Sequence, residues 1–233
     1  MARLYGTIEI MHIKICGLTN LEDALAAIDA GADYLGFNFY PKSPRYLTPE
    51  TCASIVQALW STHYDIRAVG IFVNEPSERV AAIMEQCGLD LAQLHGEETP
   101  ETLSVLRGRA FKAFRGIGQQ HAEFAAVSPL SRRGAGGHSP AFLIDAYSPN
   151  HYGGTGHTAD WEAARAIAAQ YPIFLAGGLT PDNVAEAIAK VQPWGVDVAS
   201  GVEIAPRKKD HAKVRQFIQE ARKAGEQGGR EQG

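Results

Sequence analysis

The chain has 233 residues, of which 45% are hydrophobic and 21% charged, with a formal net charge of −4. That length fits one large α/β domain able to bury its own core, and the composition excludes a disordered chain. The weak negative charge offers no field to gather nucleic acid or an anionic membrane, so an anionic small molecule must be held by local groups.

Three cysteines, Cys16, Cys52 and Cys87, show neither CxxC nor Cys/His metal spacing. They imply a reduced, cytoplasmic setting and no metal. No apolar run reaches the roughly 20 residues of a membrane span. The opening MARLYGTIEI lacks the pattern of a signal peptide. Residues 1–11 are expected to form an N-terminal extension, 12–223 the domain, and the Gly-rich 224–233 a flexible C-terminal tail.

Short apolar runs then alternate with amphipathic stretches about every 25–30 residues. HIKICG (12–17) reads as a strand, followed by a helix in LEDALAAIDAGA that Gly31 stops. DYLGFNF (33–39) is the second strand; its helix opens at Thr48-Pro49, a capping residue followed by proline. RAVGIFV (67–73) and its helix after Ser77, LAQLHG (91–96) with EETPETLSVLRG, and AFKAFRG (110–116) with a weak helix in QQHAEFAAV follow in order. AFLIDAY (141–147) leads through a Gly-rich loop to WEAARAIAAQ. PIFLAGG (172–178) precedes a helix opened by Thr180-Pro181-Asp182, and WGVDVASG (194–201) precedes the helix DHAKVRQFIQEARKA.

Eight βα units of near-continuous apolar strands predict a single (βα)8 TIM barrel, of class α/β. An open doubly wound sheet is the alternative, but the first turn, CGLTN, is not a GxGxxG. The basic, Gly-rich segment 128–140 lies between a helix and the next strand. It is therefore expected at the N-terminal end of the barrel as a surface insertion.

Barrel chemistry sits at the C-terminal ends of the strands. Cys16, His95 and Asp145 end strands one, four and six, and Arg45 lies in the loop after strand two. Gly177-Gly178 and Ser200-Gly201 end strands seven and eight. Glycine turns there let backbone N–H groups approach a phosphate, although glycines also serve tight turns alone. A lone cysteine is usually a small buried hydrophobe, the reading for Cys52 and Cys87. Cys16 differs by position, where a thiol of lowered pKa can act as a base. Lys14, two residues earlier, points to the same side of the strand and can support a thiolate or serve packing. Asp145, in the apolar run LIDAY, is either a structural hydrogen-bond acceptor or an acid of raised pKa. Together the two form a candidate acid–base pair.

KICGLTN, GADYLGFNFYPKSPRYL, VGIFVN, QLHGEE, the GGTG after strand six, LAGGLTPDNV and GVDVASGVE resemble phosphoribosylanthranilate isomerase from about residue 12 to 219. The resemblance implies an Amadori rearrangement of a small phosphorylated aminoaldose in tryptophan biosynthesis, with no cofactor. It implies Cys16 as base, Asp145 as acid, Arg45 as the anthranilate-carboxylate ligand, and Gly177, Gly178, Ser200 and Gly201 as the phosphate site. Gly156, within a GGTG lid of residues 153–156, is expected to close on the substrate. His95 and Asp197 match family motifs as further substrate-binding candidates. His95 can also simply hydrogen-bond the rim, and Asp197 can also satisfy backbone groups.

One departure is PRKKD, where Arg207 and Lys208 stand in a region in which the family usually carries glycine; the stretch 128–140 is the other. An indoleglycerol-phosphate synthase would need a catalytic lysine, for which Lys112 is the main candidate, and acidic partners that the strand ends lack. A dual histidine/tryptophan isomerase would use paired aspartates in place of the cysteine. A catalytically dead phosphate-sensing barrel is the remaining alternative. A monomer is expected, with a homodimer the alternative, and neither nucleic acid nor a membrane is expected as partner.

Overall fold

The computed structural model describes residues 11–61, 65–115, 121–128, 139–146 and 161–231. In chain order these form β1 (His12–Cys16), α1 (Leu21–Asp29), β2 (Tyr34–Asn38), α2 (Pro49–Trp60), β3 (Arg67–Phe72), α3 (Ser77–Cys87), β4 (Leu91–Leu94) and α4 (Pro100–Val105). There follow β5 (Ala110–Arg115), α5 (His121–Val127), β6 (Phe142–Asp145), α6 (Trp161–Ala168), β7 (Ile173–Ala176), α7 (Val184–Val191) and β8 (Gly195–Val198). The chain ends in a 3₁₀ turn (Ser200–Val202), the short strands β9 (Glu203–Ala205) and β10 (Lys208–Lys209), and α8 (His211–Glu231).

All eight barrel strands run parallel, and β1 pairs with both β2 and β8, so the sheet is closed. Closure removes the open-sheet alternative. The local signals act as expected at several ends. Asn20 caps α1 by accepting from the Asp23 backbone at 2.8 Å, and Thr48 caps α2 with Pro49 in its first turn. Gly31 stops α1 with φ +99°.

The barrel interior is filled in tiers. Tyr34, Val69, Leu91, Phe111, Leu143 and Phe174 plug its lower half, with Trp194 against them. Phe111 and Phe174 are both fully buried and each contributes about 2–3 kcal/mol of hydrophobic stabilisation. His12 stacks on Trp194 at 3.9 Å below this plug. Side chains alternate with a period of two along a strand, so residues two or four beyond the plug return to the interior at the upper rim. That parity takes Leu91 through Gln93 to His95, Leu143 to Asp145, and Lys14 to Cys16.

Three expectations change. The helix expected to open at Thr180-Pro181-Asp182 starts at Val184, because Asn183 Oδ1 accepts from the Thr180 N–H at 2.8 Å and holds a separate turn. Helix α8 continues to Glu231, past the boundary set at residue 224. Arg222 anchors it by bonding Asp33 at 2.9 Å and the Met11 carbonyl, and Gly225 packs against Met11. The β9–β10 hairpin was not foreseen, since its strands are too short to carry a period. Residues 1–10 of the expected extension and most of 128–140 lie outside the described residues. Ser139, at the end of that segment, lines a cleft with Arg67, Asp90 and Arg109 at the N-terminal ends of the strands.

Candidate active site

Because the strands are parallel and closed into a ring, their C-terminal ends share one rim. Cys16 is the last residue of β1 and Asp145 the last of β6, with β7 and β8 between them in the ring. His95 follows β4 directly, its N–H bonded to the Phe72 carbonyl at 2.8 Å. Gly177 and Gly178 follow β7 with φ +99° and +66°, a conformation that favours glycine. Ser200 and Gly201 follow β8. A side chain at Gly201 would collide with the Leu179 carbonyl, so the β7 and β8 turns lie directly against each other. Gly156 and the GGTG lid lie outside the described residues.

Arg45 reaches the rim from the β2–α2 loop. Its stem crosses Gly17, where a Cβ would overlap Arg45 Cδ. Its guanidinium donates from Nε to Glu203 Oε1 at 2.7 Å and from Nη2 to Glu203 Oε2 at 2.6 Å. Glu203 also pairs with Lys209 at 3.0 Å. The Lys209 ammonium in turn donates to the carbonyls of Cys16 at 2.6 Å and Ala199 at 3.0 Å. Neither Glu203 nor Lys209 was singled out in the sequence. The only available signal was their place in GVE and KKD beside a suspected phosphate turn.

A second network crosses the barrel below the rim. Lys14, fully buried, donates to Asp197 Oδ1 at 2.8 Å and to Gln93 Oε1 at 3.0 Å. An ammonium only donates, so the Gln93 carbonyl must face Lys14 and its amide must face His95 Nδ1, 3.1 Å away. His95 Nδ1 is therefore the acceptor, and its proton sits on Nε2. Burial, with Arg115, Lys112 and Lys14 nearby, lowers the imidazole to about 4 and keeps it neutral. Asp197 holds a cation here.

The thiol of Cys16 departs from expectation. Burial pushes its pKa up, and the opposing pull of Lys14 and Lys209 does not overcome this. The expected lowering reflects the nearby lysine and not the desolvation of a buried sulfur. Cys52 and Cys87 are buried in α2 and α3, away from the rim. Lys112 is occupied by the carbonyls of Leu94, Gly96 and Ala113 and by Glu98 at 3.1 Å. It clamps the turn carrying His95 and is not free to act as a catalytic lysine. Among the described residues no cluster of His, Cys, Asp and Glu could hold a metal, and no helix is long and apolar enough to cross a membrane.

The profile of the N-(5'-phosphoribosyl)anthranilate (PRA) isomerase family matches residues 13–220. An N-(5'-phosphoribosyl)anthranilate isomerase of Citrifermentans bemidjiense is 50% identical over 211 residues, 91% of this chain and 97% of that protein. The crystal structure of phosphoribosyl anthranilate isomerase from Thermotoga maritima superposes with a TM-score of 0.76 at 37% identity, covering 91% of this chain and 98% of that one. A phosphoribosyl anthranilate isomerase in complex with reduced 1-(o-carboxyphenylamino)-1-deoxyribulose 5-phosphate superposes at 0.73 with 36% identity, over 91% and 98% of the two chains. The closed barrel and a match across almost the whole domain agree, and the chain belongs to the N-(5'-phosphoribosyl)anthranilate isomerase family.

Proposed function

We propose that this isomerase converts N-(5-phosphoribosyl)anthranilate to 1-(2-carboxyphenylamino)-1-deoxy-D-ribulose 5-phosphate, a step of tryptophan biosynthesis, by acid–base catalysis without metal or cofactor. The observation that carries the reading is the meeting of Cys16, Asp145, Arg45 and two adjoining glycine turns on one rim of a family barrel. Asp145 donates a proton to the ring oxygen as the C1–O bond breaks, leaving a protonated Schiff base. The Cys16 thiolate removes the C2 proton to give an enolamine. Protonation at C1 and loss of the C2 hydroxyl proton complete the aminoketose.

Arg45 presents a planar fork to the anthranilate carboxylate. The Gly177-Gly178 and Ser200-Gly201 turns offer backbone N–H groups to the phosphate. His95, neutral with its proton on Nε2, is a fixed hydrogen-bond donor at the rim, and Asp197 acts by holding Lys14 beneath the thiol. A raised thiol pKa is compatible with the role of base. The thiolate fraction is smaller, but each thiolate is a stronger base, and the active form pairs it with a protonated carboxyl.

Turnover of freshly generated substrate tests the assignment. Cys16→Ala and Asp145→Asn should each lower kcat by about 10²–10⁴, with far smaller changes in KM. A normal kcat in Asp145→Asn would assign proton donation to another group. We read the protein as a cytoplasmic monomer. The large apolar side chains exposed among the described residues, Leu21, Val105, Val127 and Ile204, lie on four separate elements. Sedimentation velocity tests this, since the Thermotoga maritima relative is described as dimeric.

A further inference from the structure

Arg45, Glu203 and Lys209 form a three-membered charge cluster at the rim. Glu203 is buried and Lys209 fully so, while the Arg45 side chain keeps 21% of its surface exposed. Two cations on one carboxylate leave a formal charge of +1. Glu203 takes one complete edge of the guanidinium, Nε and Nη2, by the two short bonds described above. The edge shared by Nη1 and the second Nη2 hydrogen is not used by Glu203 and is of the right shape for another carboxylate. The Arg45 stem lies across Gly17, so the guanidinium is held next to the Cys16 strand end.

We propose that Glu203 is a positioning residue that aims Arg45 at the substrate carboxylate, so that it sets substrate affinity while taking no part in proton transfer. This rests on the reading of Arg45 as the anthranilate ligand. A flexible arginine loses side-chain freedom when it binds. Glu203 removes that loss beforehand by fixing the guanidinium plane. Lys209 holds Glu203 in turn, and through its bond to the Cys16 carbonyl ties the same cluster to the end of β1.

The test is a double-mutant cycle read as KM against kcat. In Glu203→Gln one of the two oxygens that accept from Arg45 becomes an NH2 donor, so the two-oxygen fork is lost. KM should rise about tenfold, the scale of one lost charged hydrogen bond, with kcat within about threefold. In an Arg45→Ala background the same substitution should leave KM unchanged. Glu203→Asp, which keeps the charge but shortens the reach, should show a smaller rise in KM, and it carries the test should Glu203→Gln fail to fold. An unchanged or lower KM in the Glu203 variants would overturn the proposal, as would an equal KM rise with and without Arg45. If Arg45→Ala alone left KM unchanged, the reading of Arg45 itself would fall.

Discussion

Gly36 and Cys16 are register partners across β2 and β1, and a Cβ at position 36 would stand 2.8 Å from the Cys16 sulfur. The thiol occupies the space a side chain there would fill. The Cys16 main chain is also close, at 3.1 Å from that Cβ, so the added methyl cannot be accommodated by sulfur rotation alone. Gly36→Ala should therefore displace the thiol by several tenths of an ångström. With Cys16 as the proposed base, such a displacement costs up to about 10² in rate, while overpacking costs about 1–3 kcal/mol of stability. Steady-state kinetics and urea unfolding of the variant measure the two effects. Unaltered kcat would mean that the sulfur position is not important to the reaction.

Burial raises the Cys16 thiol above the usual thiol range, despite Lys14 and Lys209. Alkylation by iodoacetamide in the free enzyme should thus rise with pH along a curve centred above that of a free cysteine. The Cys52→Ser, Cys87→Ser double variant isolates the signal, because those two sulfurs lie in α2 and α3. A midpoint below the free-thiol value would restore the lowered pKa that the strand-end position alone suggests.

His95 makes stability depend on acidity. Its folded pKa of about 4 lies below an unfolded value near 6.5, so the unfolded chain binds the extra proton first. The stabilisation of the neutral imidazole is complete above about pH 6.5 and is lost as pH falls towards 4. Between pH 7 and 4.5 this amounts to about 2 kcal/mol. Urea midpoints at the two pH values should therefore differ more in the wild type than in His95→Asn. Equal pH dependence in both proteins would show that His95 is not the titrating group.

Arg207, a residue of the PRKKD stretch, has a φ of +76°. The backbone there is left-handed, which costs a residue with a Cβ about 1 kcal/mol. Its side chain donates to the Tyr46 carbonyl at 2.7 Å and its own carbonyl accepts from Thr19 at 3.0 Å, which helps offset that cost. Both Arg207→Ala and Arg207→Gly lose the Tyr46 bond, so comparing them isolates the backbone term. The glycine variant should be the more stable by about 1 kcal/mol. Thermal unfolding of the pair decides it, and equal melting temperatures would remove the strain argument.

The order of eight βα units, the rim positions of Cys16, Asp145 and His95, and the two glycine turns were all determined by the sequence alone. The reason is that hydrophobic period, capping residues and strand-end position are local properties of the chain. Where local signals were weak, as in the two-residue β10 and the turn before α7, the sequence placed the ends less well. The tertiary structure decided who touches whom. Arg45 meets Glu203 across 158 residues, Lys14 meets Asp197 across 183, and Lys209 meets the Cys16 carbonyl across 193. No local pattern contains these pairs, because they exist only once β8 closes on β1 and brings the two ends of the chain together. The same closure encloses the Cys16 sulfur, and desolvation by the closed barrel turns the direction of its pKa against what its neighbour in sequence implied.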